Sequence, residues 1–289
     1  MTAKVFTVEN RKGGVGKTTT AVTLAVGLAR RCHENGGGNV LLIDLDPQGD
    51  AARGLGLDPG GRCISRVLLG NGGVNDLRQN VMSADRAATG GPSRPNLFVL
   101  PASDALAQAK TRILTSAAAE VVAAMMQGTK SGDGDEIIMI LERKLALTRR
   151  NFKYIILDCP PTLDVLQQAV HHFADAAVVP VKVDYHGTSA TARHTQNILD
   201  DQAAGIDIKI AAIVPTFFQP RHNLTQAMME ELAERYGRRV IMTPIPNTVR
   251  VAEAPAVDGL TIFEYEPTHA AAEAYWDLVD YIRGEADHD

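Results

Sequence analysis

The nine residues 11–19, RKGGVGKTT, constrain this chain more than any other stretch. A short apolar run at 5–8 leads into them, and a helix-compatible run at 19–31 follows. Strand, glycine loop and helix therefore come in the order that a phosphate cradle requires. Gly13, Gly14 and Gly16, with Val15 between them, let the backbone turn tightly and point its N–H groups inward. Lys17 supplies a point charge for the β and γ phosphates, and the hydroxyl of Thr18, next to Thr19, suits Mg²⁺. An isolated glycine loop can be a plain turn. Here two lysines, two threonines, a strand and a helix coincide, which points to a nucleotide site. The strict P-loop pattern has a glycine five positions before Gly16. This chain has Arg11 there and opens the loop with a second lysine, Lys12.

Short Val/Ile/Leu runs alternate with longer amphipathic stretches, and apolar residues make up 45% of the 289. That rhythm predicts an α/β fold: a doubly wound, mostly parallel sheet flanked by helices, as one domain over residues 1–289. Strands are expected at 5–8, 40–44, 97–101, 154–158, 176–181, 208–214 and 240–245. Helices are expected at 19–31, 64–69, 103–126, 187–204, 224–236 and 268–283. The glycine-rich stretch around 70–95 reads as a solvated surface excursion, and 128–135 (GTKSGDGD) as a flexible loop.

No segment approaches the roughly 20 apolar residues of a membrane span, and no signal peptide precedes the first strand, so a cytoplasmic protein is expected. Cys32, Cys63 and Cys159 lie far apart without CxxC spacing, and the histidines show no HExxH pattern. Neither a disulfide framework nor a zinc site is indicated, and His171 and His172 read as the end of a helix face. The net charge of −5 is weighted toward an acidic segment at 253–289. A basic face elsewhere remains compatible with it, because nucleic-acid affinity follows local patches.

Phosphoryl transfer needs acids that position a metal and a group that orients water. Asp44 and Asp158 each end an apolar strand, where ligands of open α/β sheets collect, and Asp46 follows in DLDPQG.

Together with the Lys12 loop, ILDCPP at 156–161 and DLDPQG at 44–49, this chain resembles the deviant Walker A ATPases of the ParA/MinD family. The resemblance extends through ISRVLLG, NLFVLPAS, VPVKVDYHG, VPTFFQPRHNL and PIPNTVRVAEAP, and is nearer the partitioning branch than the cell-division branch. It implies ATP and Mg²⁺ as cofactors, with Asp158 as the Walker B carboxylate and Asp44 supporting the Mg²⁺ shell. It also implies that Asp46 positions the hydrolytic water and that Lys12 reaches the partner's nucleotide across an ATP-dependent homodimer. Pro246, Asn247 and Thr248 occupy the segment that borders adenine, although the family usually has arginine and asparagine at 247 and 248. Arg221 and Arg250 match its positions for sequence-independent contact with double-stranded DNA.

The function implied is DNA partitioning with a ParB-type partner that stimulates a weak ATPase on the nucleoid. Two alternatives stand beside it: positioning of a protein cargo through another adaptor, and a regulatory nucleotide switch that never touches DNA. A membrane anchor would need a basic amphipathic terminal helix, whereas this chain has Glu273, Asp277, Asp280 and the tail EADHD.

Overall fold

In the computed structural model, which describes residues 2–127, 133–162, 165–183, 195–196, 198–221 and 223–288, seven strands form one sheet in the order β3-β4-β2-β5-β1-β6-β7. The strands are β1 (Lys4–Val8), β2 (Val40–Asp44), β3 (Met82–Ser83), β4 (Leu97–Leu100), β5 (Tyr154–Asp158), β6 (Ala176–Lys182) and β7 (Lys209–Thr216). All pair in parallel except β3, a two-residue antiparallel edge on β4. Every residue of β2 and β5 is buried, which explains why VLLID and YIILD are continuous apolar runs and not alternating ones.

Each face of the sheet carries its own core. On one face pack α1 (Lys17–Glu34) and the last helix, Ala270–His288, with Leu24, Leu28, Tyr275 and Leu278 at the centre. Gly27 permits their close approach, since a Cβ there would lie 2.4 Å from a Val279 methyl. On the other face Ile64–Leu69, the first turns of Ala105–Gln127, Ile140–Leu145 and Gln167–Phe173 cover Leu41, Ile43, Ile155 and Leu157. Among the described residues, no helix is long and apolar enough to cross a membrane.

One sequence expectation fails and another is met only in part. Residues 240–245 do not form a strand. A 3₁₀ turn, Arg238–Val240, leads to two isolated bridges, Ile213 to Ile241 and Phe218 to Pro246. Pro244 and Pro246 lack the N–H groups that a ladder needs.

The stretch 70–95 lies at the surface, buried only at Leu77, Asn80, Ala84 and Arg94, but it is not irregular. It holds the helix Val74–Asn80 and β3, and it ends on Arg94, only 3% exposed. Arg94 grips Glu264 through Nε and Nη2, both at 2.8 Å, and donates to the carbonyls of Leu55 and Gly259 at 2.9 and 2.6 Å. Glu264 in turn closes a capping box with Thr261 at the helix Ile262–Tyr265. Composition hid this, because glycine and proline dominate the stretch and one long-range arginine organises it.

Of the expected loop at 128–135, residues 128–132 lie outside the described residues, and the helix Asp133–Ile138 begins within the remainder. Half of the helix expected at 187–204 also lies outside them, with helical residues at 195–196 and 198–203.

Removing one side of a buried, bidentate pair strands the other charge, which costs about 3–5 kcal/mol. Arg94→Ala should therefore lower unfolding stability by that amount in urea titrations. Arg53→Ala, which loses an exposed pair with Asp50, should change it by about 0.5 kcal/mol or less.

Candidate nucleotide-binding site

The site forms at the carboxyl edge of the sheet, where β1 runs into the glycine loop. Asn10 sets the loop's entry: its Nδ2 donates to the Pro180 carbonyl at 2.8 Å, and its Oδ1 accepts the Lys12 N–H at 2.9 Å. Gly16, at φ 86° and ψ 27°, takes the left-handed turn that delivers the chain directly into α1. No side chain caps that helix, so its first-turn N–H groups face the loop as an anion site. The buried Thr216 hydroxyl donates to the Val15 carbonyl at 3.0 Å and fastens the loop to β7. Gly13 and Gly14 are exposed.

Lys17 is buried, and its Nζ donates to the Lys12 carbonyl at 3.0 Å. Burial pulls its pKa down, opposed by the charges of Asp158 and Asp46. The Lys12 backbone is thus held on both sides, by Asn10 and by Lys17, at the half-buried mouth of the loop.

Below the loop lie the two strand-end carboxylates. Adjacent strands place Asp44 opposite Asp158, and β1 places Val8 on the other side of Asp158. Asp44 accepts the N–H groups of Asp46 at 2.9 Å and Ala51 at 3.1 Å. Asp158 is 1% exposed, and neither of its oxygens has a hydrogen-bond partner. Burial pushes Asp44 up to about 7 despite those two N–H groups. It drives Asp158 well above the carboxylate range, with Asp44 adding repulsion and Thr18 and Lys17 opposing it.

A buried carboxylate without a donor calls for a proton or a cation. Asp158 beside the half-buried Thr18 fits a hard divalent ion that keeps its waters and takes other ligands from phosphate. Among the described residues, no group of three or more His, Cys, Asp or Glu forms an all-protein metal cage. Asp46 is half-buried at the site's mouth, and its Oδ1 accepts the Gln48 N–H at 3.0 Å.

A cleft of about 520 Å³ opens beside Thr18 and Thr19, walled by Asp50, Arg53, Val251 and Pro255. Pro246, Asn247 and Thr248 are not among the residues that line it. Pro246 bridges to Phe218, the Asn247 N–H donates to the Phe218 carbonyl at 2.9 Å, and Thr248 Oγ1 accepts the Arg250 N–H at 3.2 Å. The wall comes instead from the short helix Arg250–Glu253 and the turn after it. Sequence reading also missed Lys110, whose buried Nζ donates to the Leu45 carbonyl in the DLDPQG element at 2.9 Å.

The two arginines stand on separate segments. Arg221 is exposed beyond β7, and Arg250 is exposed but paired with Glu253 and Glu266, each at 3.1 Å.

A family described as an AAA domain (AAA_31) matches residues 3–208. The sporulation initiation inhibitor protein Soj of Bacillus subtilis is 32% identical over 282 residues, covering 96% of this chain and 98% of Soj. The chromosome partitioning protein ParA of Myxococcus xanthus is 30% identical, covering 94% of this chain and 85% of ParA. This chain belongs to the ParA/MinD family of P-loop ATPases. Among solved structures, cobyrinic acid a,c-diamide synthase from Mycobacterium smegmatis, with a bound ATP analogue and magnesium, superposes with a TM-score of 0.71. It is 26% identical, with 99% of this chain and 97% of that one covered.

The unpartnered Asp158 makes a prediction for this family member. Asp158→Asn removes a buried acid whose ionisation the fold opposes, so the nucleotide-free protein should gain about 1 kcal/mol and melt about 2–4 °C higher. The same change should abolish the thermal shift produced by MgATP. Calorimetry with and without MgATP checks both, and a retained shift would take Asp158 out of the cation's surroundings.

Proposed function

We propose that this chain is an ATPase, using ATP with Mg²⁺, that binds DNA without sequence preference as an ATP-bound homodimer and partitions DNA in the cytoplasm with a ParB-type partner. The observation that carries the reading is the doubly held backbone of Lys12 at the loop mouth, directly above the buried pair of Asp44 and Asp158. In that reading Gly13 to Thr19 cradle the phosphates through backbone N–H groups, with Lys17 on the β and γ phosphates. The cleft beside Thr18 and Thr19 receives the nucleoside, with Val251 and Pro255 as its apolar wall.

Thr18, Asp44 and Asp158 would hold Mg²⁺ and its waters, and the ion supplies charge neutralisation at the transferred phosphoryl group. Asp46 orients the attacking water, and Lys12 leans across the dimer to the partner's nucleotide in the manner of an arginine finger. The lysine on the Lys12 carbonyl keeps the loop closed on itself before phosphate arrives, when Nζ exchanges that neutral acceptor for anionic oxygens. ATP thereby becomes part of the subunit interface, and loss of the γ phosphate removes charge that both subunits grip.

Asp46→Ala should keep ATP affinity and accumulate as a dimer, because blocked hydrolysis traps the sandwiched state. Sedimentation velocity with ATP reads this directly. A variant that hydrolyses at the wild-type rate would move the water-positioning role elsewhere.

DNA binding should require ATP and depend on Arg221 and Arg250. Each phosphate contact contributes about 0.9 to the slope of log affinity against log salt. Arg221→Ala should flatten the slope by about that much on every duplex. Arg250→Ala should cost less, since phosphate must first displace Glu253 and Glu266. Fluorescent duplex titrations across a salt series, with ATP and with ADP, provide the measurement. Equal binding in the two nucleotides would defeat the gating.

A further inference from the structure

Residues 171 and 172 part company in the structure: His172 is exposed, whereas His171 is 0% exposed in the helix Gln167–Phe173. Its Nε2 lies 2.8 Å from Glu9 Oε1 and its Nδ1 lies 2.5 Å from Asp201 Oδ2. Glu9 itself is 4% exposed. Two carboxylates can be answered by one imidazole only if both ring nitrogens donate, which makes His171 an imidazolium.

Glu9 is the first residue beyond β1, and Asn10, which fixes the Lys12 N–H, is the next. The strand exit is therefore held on two sides: Glu9 to the helix Gln167–Phe173 through His171, and Asn10 to β6 through the Pro180 carbonyl. Buried ion clusters of this kind add little to stability but hold a geometry, because a misplaced member is left desolvated and unpaired.

We propose that His171, protonated and clamped between Glu9 and Asp201, is a positioning residue that fixes the exit of β1 and through it the Lys12 backbone, and that ATP turnover is therefore proton-gated. The inference rests on the ATPase reading above and adds its regulation. The charged groups around His171 are Glu9 from β1 and Asp201 from residues 198–203, with Gln168 donating to Asp201 at 3.5 Å. Arg11 and Lys110 line a pocket with Glu9, Gln167 and Val170 on the near side of this helix, and at its far end Arg149 donates to the Phe173 carbonyl and pairs with Glu142 and Asp175. Burial pulls the His171 pKa down, and the two carboxylates more than compensate, so it stands above the ordinary value of 6.5. The sign follows: the clamp is complete below 6.5 and is lost, with its contribution to stability, as pH rises through the elevated pKa. Above that point one nitrogen can no longer donate, and a carboxylate is left facing a lone pair.

The experiment is kcat and KM for ATP from pH 6 to 9.5, paired with NMR titration of the His171 ring. The wild type should lose kcat with rising pH at the inflection seen by NMR, with KM little changed, because Lys17 and Thr18 hold the nucleotide independently. Glu9→Gln and Asp201→Asn each remove one carboxylate and should move both inflections down by about one pH unit. Glu9→Ala/His171→Leu/Asp201→Asn, which removes the imidazole together with both carboxylates and so strands no charge of the clamp, should fold, keep KM, and show a pH-independent kcat reduced about tenfold or more.

A ring pKa at or below 6.5 overturns the proposal. An NMR inflection that moves in Glu9→Gln while the kcat inflection stays also overturns it and leaves the ATPase reading standing. A wild type without ATP turnover at any pH would instead bring down the ATPase reading and this inference together.

Discussion

Two carboxylates at the ends of neighbouring buried strands set the terms for the rest of this molecule. Parallel pairing of β2 with β5 puts Asp44 and Asp158 opposite one another, and the next strand over, β1, brings the glycine loop to the same edge. In a sheet covered on both faces neither acid can turn to solvent. Asp44 is partly answered by the N–H groups of Asp46 and Ala51, while Asp158 has only Thr18 and the charge of Lys17 to oppose its burial. The fold therefore carries a local deficit of positive charge directly beneath its phosphate cradle. Lys17 lies too deep to be strongly charged at no cost, and it rests on a neutral carbonyl. A metal-bound polyphosphate resolves both problems together, since its cation serves the carboxylates and its oxygens serve the lysine and the helix N-terminus.

The same two N–H groups on Asp44 link that charge to the element beyond it. Asp46 and Ala51 bracket the turn that starts the helix Asp50–Gly54, and that helix supplies Asp50 and Arg53 to the cleft beside Thr18 and Thr19. Just past its end, the Leu55 carbonyl is taken by Arg94, which also holds Gly259 and Glu264 behind the opposite wall of the cleft. One arginine thus ties the segment after DLDPQG to the segment that begins the helix Ile262–Tyr265. On the other side, Lys110 holds the Leu45 carbonyl. The element that would sense the γ phosphate is anchored at its start and just beyond its end, and Asp46 to Gln48 are the part left nearest the surface.

What the sequence disclosed and what it hid follow from the range of the interactions concerned. The loop, the strands ending in Asp44 and Asp158, and the helix Ile64–Leu69 were legible because each is specified by a few adjacent residues: glycines for a left-handed turn, an apolar run closed by an acid. Much of what stayed hidden needed partners far away in the chain. Arg94 is decided by Glu264, 170 residues on, and His171 by Glu9, 162 residues back. Neither signal exists in a local window. The segment 240–245 looked like a strand by its Val and Ile content, yet two prolines deny it a ladder, a local signal that the apolar pattern masked. The cleft beside Thr18 and Thr19 was not legible either, because its far wall is built by the short helix Arg250–Glu253 and the turn after it, which bring Val251 and Pro255 to it.

The pairing of Arg250 changes what a basic face means here. A residue can match a DNA-contacting position and still offer phosphate less than its formal charge, because Glu253 and Glu266 already occupy its guanidinium at 3.1 Å. Exchange of one anion for another in partly exposed surroundings is nearly neutral in energy, so such an arginine adds more to orientation than to affinity. Net affinity must then come from the number of contacts presented together, and a second subunit doubles that number at one stroke. With Arg250 already paired to Glu253 and Glu266, a single subunit offers few unengaged basic contacts on that face. In the proposed function, weak individual contacts would make nucleotide-controlled dimerisation an effective control of DNA binding, since neither state would need a large conformational change within the subunit to differ in grip.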